Sequence, residues 1–266
     1  MPYATFFVIH FEVGGHTESL EHQMLFWPAG TSLVTLANRY AIKLTLQFNP
    51  QWAEYIVIDK GKLDLIKRWQ QQGHEISLHH HGYDHGDWNG YSNRAEIRDD
   101  PRFRGNIQDM MKLMRQLVHP FQVLSGTVTD EECDYPQDIR YDTEGIKLAH
   151  ARSKPKWVTL GSKDVIQAGM AFLSLEEDLE YFSLEYLKSG TNEVFGVVTH
   201  EKDFAKNPVI IEEWFKFIRS RGESVKTVSQ IIMDYEKVYP IKFNEKPLNF
   251  LSDVVGVVRE TQENDL

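Results

Sequence analysis

Residues 73–85 read GHEISLHHHGYDH and hold His74, His79, His80, His81 and His85, five of the chain's eleven histidines. Packing alone is a poor reason for such density, because neutral imidazole is the commonest metal ligand and its charge changes near physiological pH. Ile76 and Leu78 alternate with polar neighbours, which predicts a strand over 75–81. Side chains two apart on a strand share a face, so His79 and His81 point one way and His80 the other. Gly82 breaks the strand, and His81 to His85 has the spacing H-x-x-x-H. A helical turn there would bring both rings to one side, within reach of one ion at the roughly 2.0–2.1 Å that zinc requires. The plainer reading is a polar loop with one satisfied core histidine; clustering at ligand spacing favours the metal.

Outward from this stretch the pattern alternates. Residues 3–13, YATFFVIHFEV, form an apolar run suited to a buried strand, closed by Gly14-Gly15. Pro28 and Gly30 are expected to break any long helix over 16–30, with Thr31 as N-cap of a helix over 32–40. Residues 41–48 read as a second strand ended by Asn49-Pro50, and Leu63, Ile66 and Trp69 mark a helix over 61–72. Strand, helix, strand, helix, strand is the order of a parallel sheet or barrel. Residues 86–105 read as a long loop in which Trp88 and Tyr91 could stack on a sugar face or anchor the loop. A helix over 106–118 carries a methionine stripe that belongs to the core. Strands are expected over 121–128, 146–151, 157–160 and within 169–175, with 130–142 acidic and irregular and 176–189 helical. The apolar run 194–200 ends on His200; a helix over 208–222 and the segment 225–232 close the series. No repeat or clear linker interrupts it, so one domain over 1–240 is expected, with 241–266 as a C-terminal extension or tail.

Composition narrows the classes. With 266 residues, 41% hydrophobic and 26% charged, the chain reads as a soluble globular protein. A net charge of −10 argues against nucleic acid or an anionic membrane surface as main partner. Cys133 is the only cysteine, so neither an internal disulfide nor a four-cysteine zinc site can form. The N-terminus lacks a positively charged region and a small-residue cleavage site, and no apolar run approaches the roughly 20 residues of a membrane span. A cytoplasmic location, with nothing before the first strand, is the expectation.

The GHEI sequence followed by H-x-x-x-H resembles the second motif of the polysaccharide deacetylases, carbohydrate esterase family four, which usually reads G-H-E-I-G-N-H-T-x-S-H. The stretch before the pair is two residues longer here. The end of the chain is similar to the family's last unit, in which a strand ends in a histidine, a helix runs to an R-x-x-G turn and a short strand precedes a final helix. The resemblance implies a distorted (β/α) barrel of seven strands. It departs from the family where T-F-D-D-G is replaced by His10-Phe11-Glu12-Val13-Gly14, and where no arginine stands in residues 121–128.

In the family the first aspartate of that motif is the base and the second binds metal. Counted against F-D-D-G, Glu12 takes the base position; counted against a D-V-E variant, His10 does and Glu12 becomes a ligand. The second count keeps both groups on one strand face and is preferred. The resemblance then implies Glu12, His81 and His85 as ligands of a divalent metal, most simply Zn²⁺, with His10 or Glu12 as base and His200 as acid. His79, Trp88 and Tyr91 are candidate substrate contacts, and Asp84 could orient a ligand histidine. The implied activity is metal-dependent removal of N-acetyl groups from a small or oligomeric saccharide. Hydrolysis of another amide on the same barrel, or a catalytically silent sugar-binding relative, are the alternatives.

Overall fold

The computed structural model describes residues 1–13, 19–129, 134–145 and 147–241. The Gly14-Gly15 turn, Cys133 and the tail beyond residue 241 lie outside them. Seven strands run parallel in the order β10, β1, β2, β3, β4, β5, β8. They are β1 (Ala4–Phe11), β2 (Leu44–Phe48), β3 (Glu75–His80), β4 (Ser125–Val128), β5 (Tyr141–Glu144), β8 (Lys163–Gly169) and β10 (Val194–His200). Four short strands trim the sheet. Antiparallel β6 (Arg152–Ser153) and β7 (Lys156–Leu160) pair with β10 and β8, whereas β9 (Ala171–Phe172) and β11 (Val225–Lys226) add to β10 and β1 in parallel. One residue separates β8, which pairs with β5, from β9, which pairs with β10, so this segment closes the curled sheet into the expected distorted barrel.

Strand parity decides what faces the lumen. On β1, Phe7, Ile9 and Phe11 pack outward against helices, while Ala4, Phe6 and Val8 join Ile166, Ala168, Val194 and Val198 inside. His10 continues the inward set, and Glu12 follows one residue past the strand end. The helices are α1 (Ser19–Arg39), α2 (Pro50–Val57), α3 (Lys60–Gln71), α4 (Ile107–Val118), α5 (Glu176–Lys188), α6 (Glu201–Lys206), α7 (Pro208–Ser220) and α8 (Val228–Val238). Helix α8 plugs the N-terminal end of the barrel, where Val228, Ile231 and Ile232 meet Phe6 and Val8. Its first turn is held by Glu75, whose carboxylate accepts from Ser229 N at 3.1 Å and from the Ser229 hydroxyl. The lumen opens at the strands' C-terminal ends, where barrel enzymes carry their chemistry.

Several expectations are corrected. Residues 19–39 form one helix through Pro28 and Gly30, so Thr31 is not an N-cap; its hydroxyl donates to Trp27 O at 3.0 Å. Gly30 is there for space: a Cβ would lie 2.4 Å from Phe11 Cε1. Asn49-Pro50 ends β2 as expected and also starts a helix, with Asn49 Oδ1 accepting from Trp52 N and Pro50 at the first helical position. The segment expected to be irregular ends in the first two residues of β5, which runs on to Glu144, and where a strand was expected over 146–151 a 3₁₀ turn spans Leu148–His150. Among the described residues no helix is long and apolar enough to cross a membrane.

The barrel seam makes a sharp demand on Gly196 of β10, where an added Cβ would stand 2.3 Å from Gly169 O and 2.3 Å from Phe6 Cζ. Gly196→Ala is expected to destabilise the fold by roughly 1–3 kcal/mol, the usual cost of overpacking. Urea unfolding measures this, and an unchanged midpoint would show that the seam has room to spare.

Candidate metal centre

Each strand that reaches the mouth delivers one part. His10 pairs in register with His200 on one side and Gln47 on the other, so the first and last strands present their imidazoles together. His79 pairs with Thr127, and beneath it Gln47, Thr127 and Thr143 fill the lumen with a hydrogen-bonded layer at 2.8–3.0 Å. As the parity predicts, His79 and His81 line the cavity and His80 does not. The expected helical turn after Gly82 is absent. Two tight turns replace it, with His85 N donating to Gly82 O and Trp88 N to His85 O, yet the rings of His81 and His85 still meet at 4.0 Å between centroids.

The parts converge on Glu12, which lies beside a cavity of about 560 Å³ lined by His10, His79, His81, His85 and His200. Its Oε2 accepts from His79 Nε2 at 3.0 Å and stands 3.6 Å from His81 Nε2. Its Oε1 accepts from His200 Nε2 at 2.9 Å and from Lys202 Nζ at 3.1 Å. Burial pushes the Glu12 carboxyl up, but the hydrogen bonds from His200 and His79 outweigh it and hold the group far below the usual carboxylate range. His200 is gripped from both sides, because its Nδ1 meets Asp203 Oδ2 at 3.0 Å. Only the doubly protonated ring donates from both nitrogens. Accordingly, although burial lowers it, the bonds to Asp203 and Glu12 raise the His200 pKa above its ordinary value.

Burial holds two other imidazoles of the site neutral, those of His10 and His81. His10 is stacked on His79 at 4.0 Å, and burial, with repulsion from His79 and His200, holds it well below 6.5. Burial lowers His81 to about 2, helped by His79 and His85. His81 Nδ1 lies 3.3 Å from the Asp87 carbonyl, which orients its Nε2 toward Glu12.

These residues fit a divalent cation. His10 Nε2 and His79 Nδ1 are buried without a hydrogen-bond partner, which is costly for a polar atom unless something binds it. The ligand atoms of His10, Glu12 and His79 lie within 4.8 Å of one another, as do those of His81, His85 and Asp87. Ions held at about 2.0–2.2 Å by nitrogen and carboxylate donors need only small rotations from such spacing. Of the expected trio, Glu12 thus groups most tightly with His10 and His79, and His81 and His85 with Asp87.

Of the two readings of Trp88 and Tyr91, burial favours loop anchoring. Trp88 and Tyr91 are 3% and 6% exposed, and neither lines the cavity. Trp88 Nε1 donates to Tyr91 O at 3.0 Å, and Tyr91 donates to Glu54 at 3.1 Å, so both rings anchor the loop. Asp84 pairs with Arg94 at the surface and orients no ligand. Lys202, Asp203 and Asp87 were not anticipated. The spacings H-x-x-D from His200 and H-x-D from His85 were the available signals.

Several solved structures share this fold. A probable polysaccharide deacetylase from Pseudomonas aeruginosa PAO1 superposes with a TM-score of 0.61 at 13% identity, covering 90% of this chain and 92% of that one. The chain has the polysaccharide deacetylase fold. Puue allantoinase shares that fold with a TM-score of 0.62 at 13% identity over 90% of this chain and 92% of its own. So does 4-alpha-glucanotransferase from Thermococcus litoralis, with a TM-score of 0.55 at 14% identity over 88% of this chain and 38% of its own. No family model and no curated protein matches the sequence.

Burial in this deacetylase-like barrel lowers His74 to about 4, His80 to about 3 and His81 to about 2. Their folded pKa values lie below the unfolded ones, so their contribution is present above pH 6.5 and lost as pH falls, at about 1.4 kcal/mol per histidine per unit. His200 has the opposite sign and recovers only a fraction. Metal-free protein is expected to lose about 3–4 kcal/mol between about pH 7 and about pH 5.5. Urea unfolding at both pH values measures it; a flat profile would mean that these rings are not buried neutral.

Proposed function

We propose that the chain is a metal-dependent hydrolase of C–N amide bonds, removing an N-acetyl group from a saccharide or a saccharide precursor. What carries the reading is the convergence of five imidazoles and the Glu12 carboxylate on one cavity at the open end of a deacetylase-fold barrel. Glu12, His81 and His85 would hold the cation; Glu12 stands 3.6 Å from His81, His10 and His79 group with Glu12, and Asp87 groups with His81 and His85. A divalent cation, most simply Zn²⁺, supplies Lewis acidity toward the amide carbonyl and toward water when bound.

The protein's own groups do the rest. His10, neutral and with Nε2 unengaged, is placed to accept the proton of the attacking water. His200, kept as an imidazolium by Glu12 and Asp203, is placed to protonate the departing amine and to stabilise negative charge on the carbonyl oxygen. Asp203 fixes the ring's orientation from Nδ1. Thr127 and Thr143 form the polar floor against which a substrate would rest.

One observation favours a second reading. With Trp88 and Tyr91 buried, no Trp, Tyr or Phe lines the cavity among the described residues. Sugar stacking on an aromatic face has no platform there. A small polar amide of the cyclic kind, as the allantoinase fold likeness also suggests, fits the same walls.

Zinc-loaded protein should release acetate from an N-acetylated saccharide or open a cyclic ureide. Stoichiometric zinc without hydrolysis of either would favour a silent binding protein. His81→Ala and His85→Ala should each lose the metal on dialysis. His200→Ala should retain it while turnover falls by about 10²–10⁴, the range of general acid catalysis. Loss of metal from that variant would make His200 a ligand.

A further inference from the structure

The proposed chemistry leaves Lys202, a cation beside the site, without a role. Lys202 Nζ lies 3.1 Å from Glu12 Oε1, the oxygen that also accepts from His200 at 2.9 Å. A carboxylate oxygen offers about two lone-pair directions, so both on Oε1 are filled by cationic donors. The other oxygen is engaged by His79 at 3.0 Å.

The lysine's backbone has little freedom to drift. It sits on α6 between His200 and Asp203, and its neighbour Glu201 is fully buried with Oε1 2.8 Å from His22 Nε2 on α1. Phe204, one turn on, is also buried. The side chain, by contrast, is 31% exposed, and its four-carbon stem lets the ammonium swing into water.

We propose that Lys202 is an internal counter-ion that competes with the divalent cation for Glu12 and so sets the metal affinity of the site. The inference rests on the reading of this cluster as a metal centre. Without the metal, the ammonium, together with the hydrogen bond from His200, keeps the half-buried carboxylate compensated. A dication arriving at Glu12 meets repulsion from the ammonium, which has an exit to solvent. Asp203 stays occupied by His200 throughout, and Lys206, the next cation on α6, reaches only Asp203 at 3.6 Å. Loading is thereby coupled to the departure of one side chain.

The test is a zinc titration against a chromogenic chelator at fixed ionic strength, comparing wild type with K202M, K202Q and K202R. Removing the charge should tighten Zn²⁺ binding by about tenfold or more in K202M and K202Q, a modest share of the repulsion expected between such charges at contact. K202R keeps the charge and should stay within about threefold of wild type. Equal zinc affinity in wild type, K202M and K202Q would overturn the inference, and so would equal tightening in K202R, which would point to bulk instead of charge. If none of the four proteins binds zinc, the metal reading itself fails and this inference falls with it. Urea midpoints confirm that each variant is folded before titration.

Discussion

A carboxylate in a half-buried place must be compensated, and Glu12 is where this protein meets that requirement. Its side chain is 14% exposed at the end of the first strand. Its polar contacts among the described residues come from three parts of the barrel mouth: His79 and His81 at the end of β3, His200 at the end of β10, and Lys202 on α6. An isolated charge so placed would be expensive. Surrounded as it is, it organises the neighbours that satisfy it.

The scaffold explains why these groups can meet. A parallel barrel sends all its strand ends to one face, and inward parity repeats every second residue. His10 and His200 sit in register on adjacent strands, and His79 stands two strands away across the lumen. Below them lies a polar layer of Gln47, Thr127 and Thr143, and below that an apolar plug supplied by α8. The imidazoles are thus raised to the mouth on a filled, rigid column. The protonation pattern follows from the same placement. His200 alone is held between two carboxylates, so it carries the charge, while His10 and His81 face other imidazoles and stay neutral.

Much of this is written in the sequence, and the exceptions have physical reasons. The period-two pattern at 75–81 and the apolar run at 3–13 were sufficient to place two of the central strands, and parity correctly sorted His79 and His81 from His80. The resemblance to the deacetylases supplied the barrel. Helix α1 was hidden because Pro28 and Gly30 normally end helices; here Gly30 is required by the ring of Phe11. Strand β5 was hidden because its polar residues point into a polar lumen, where Asp142 is bonded by Tyr135 and Gln167. Trp88 and Tyr91 could be read either as a sugar platform or as anchors because composition cannot distinguish a loop's anchor from its tip. Lys202 was invisible for a related reason, since nothing in a run of His-Glu-Lys-Asp says which charges turn inward.

The account's central claim is that these imidazoles and Glu12 share one divalent cation. Anomalous diffraction at the zinc edge from crystals grown with one equivalent of Zn²⁺ tests it most directly. The account predicts a single strong peak inside the cavity, with a Glu12 oxygen and His81 Nε2 among the ligands at about 2.0–2.2 Å. Peaks confined to the protein surface, with the Glu12 carboxylate still bound only by His79, His200 and Lys202, would contradict it.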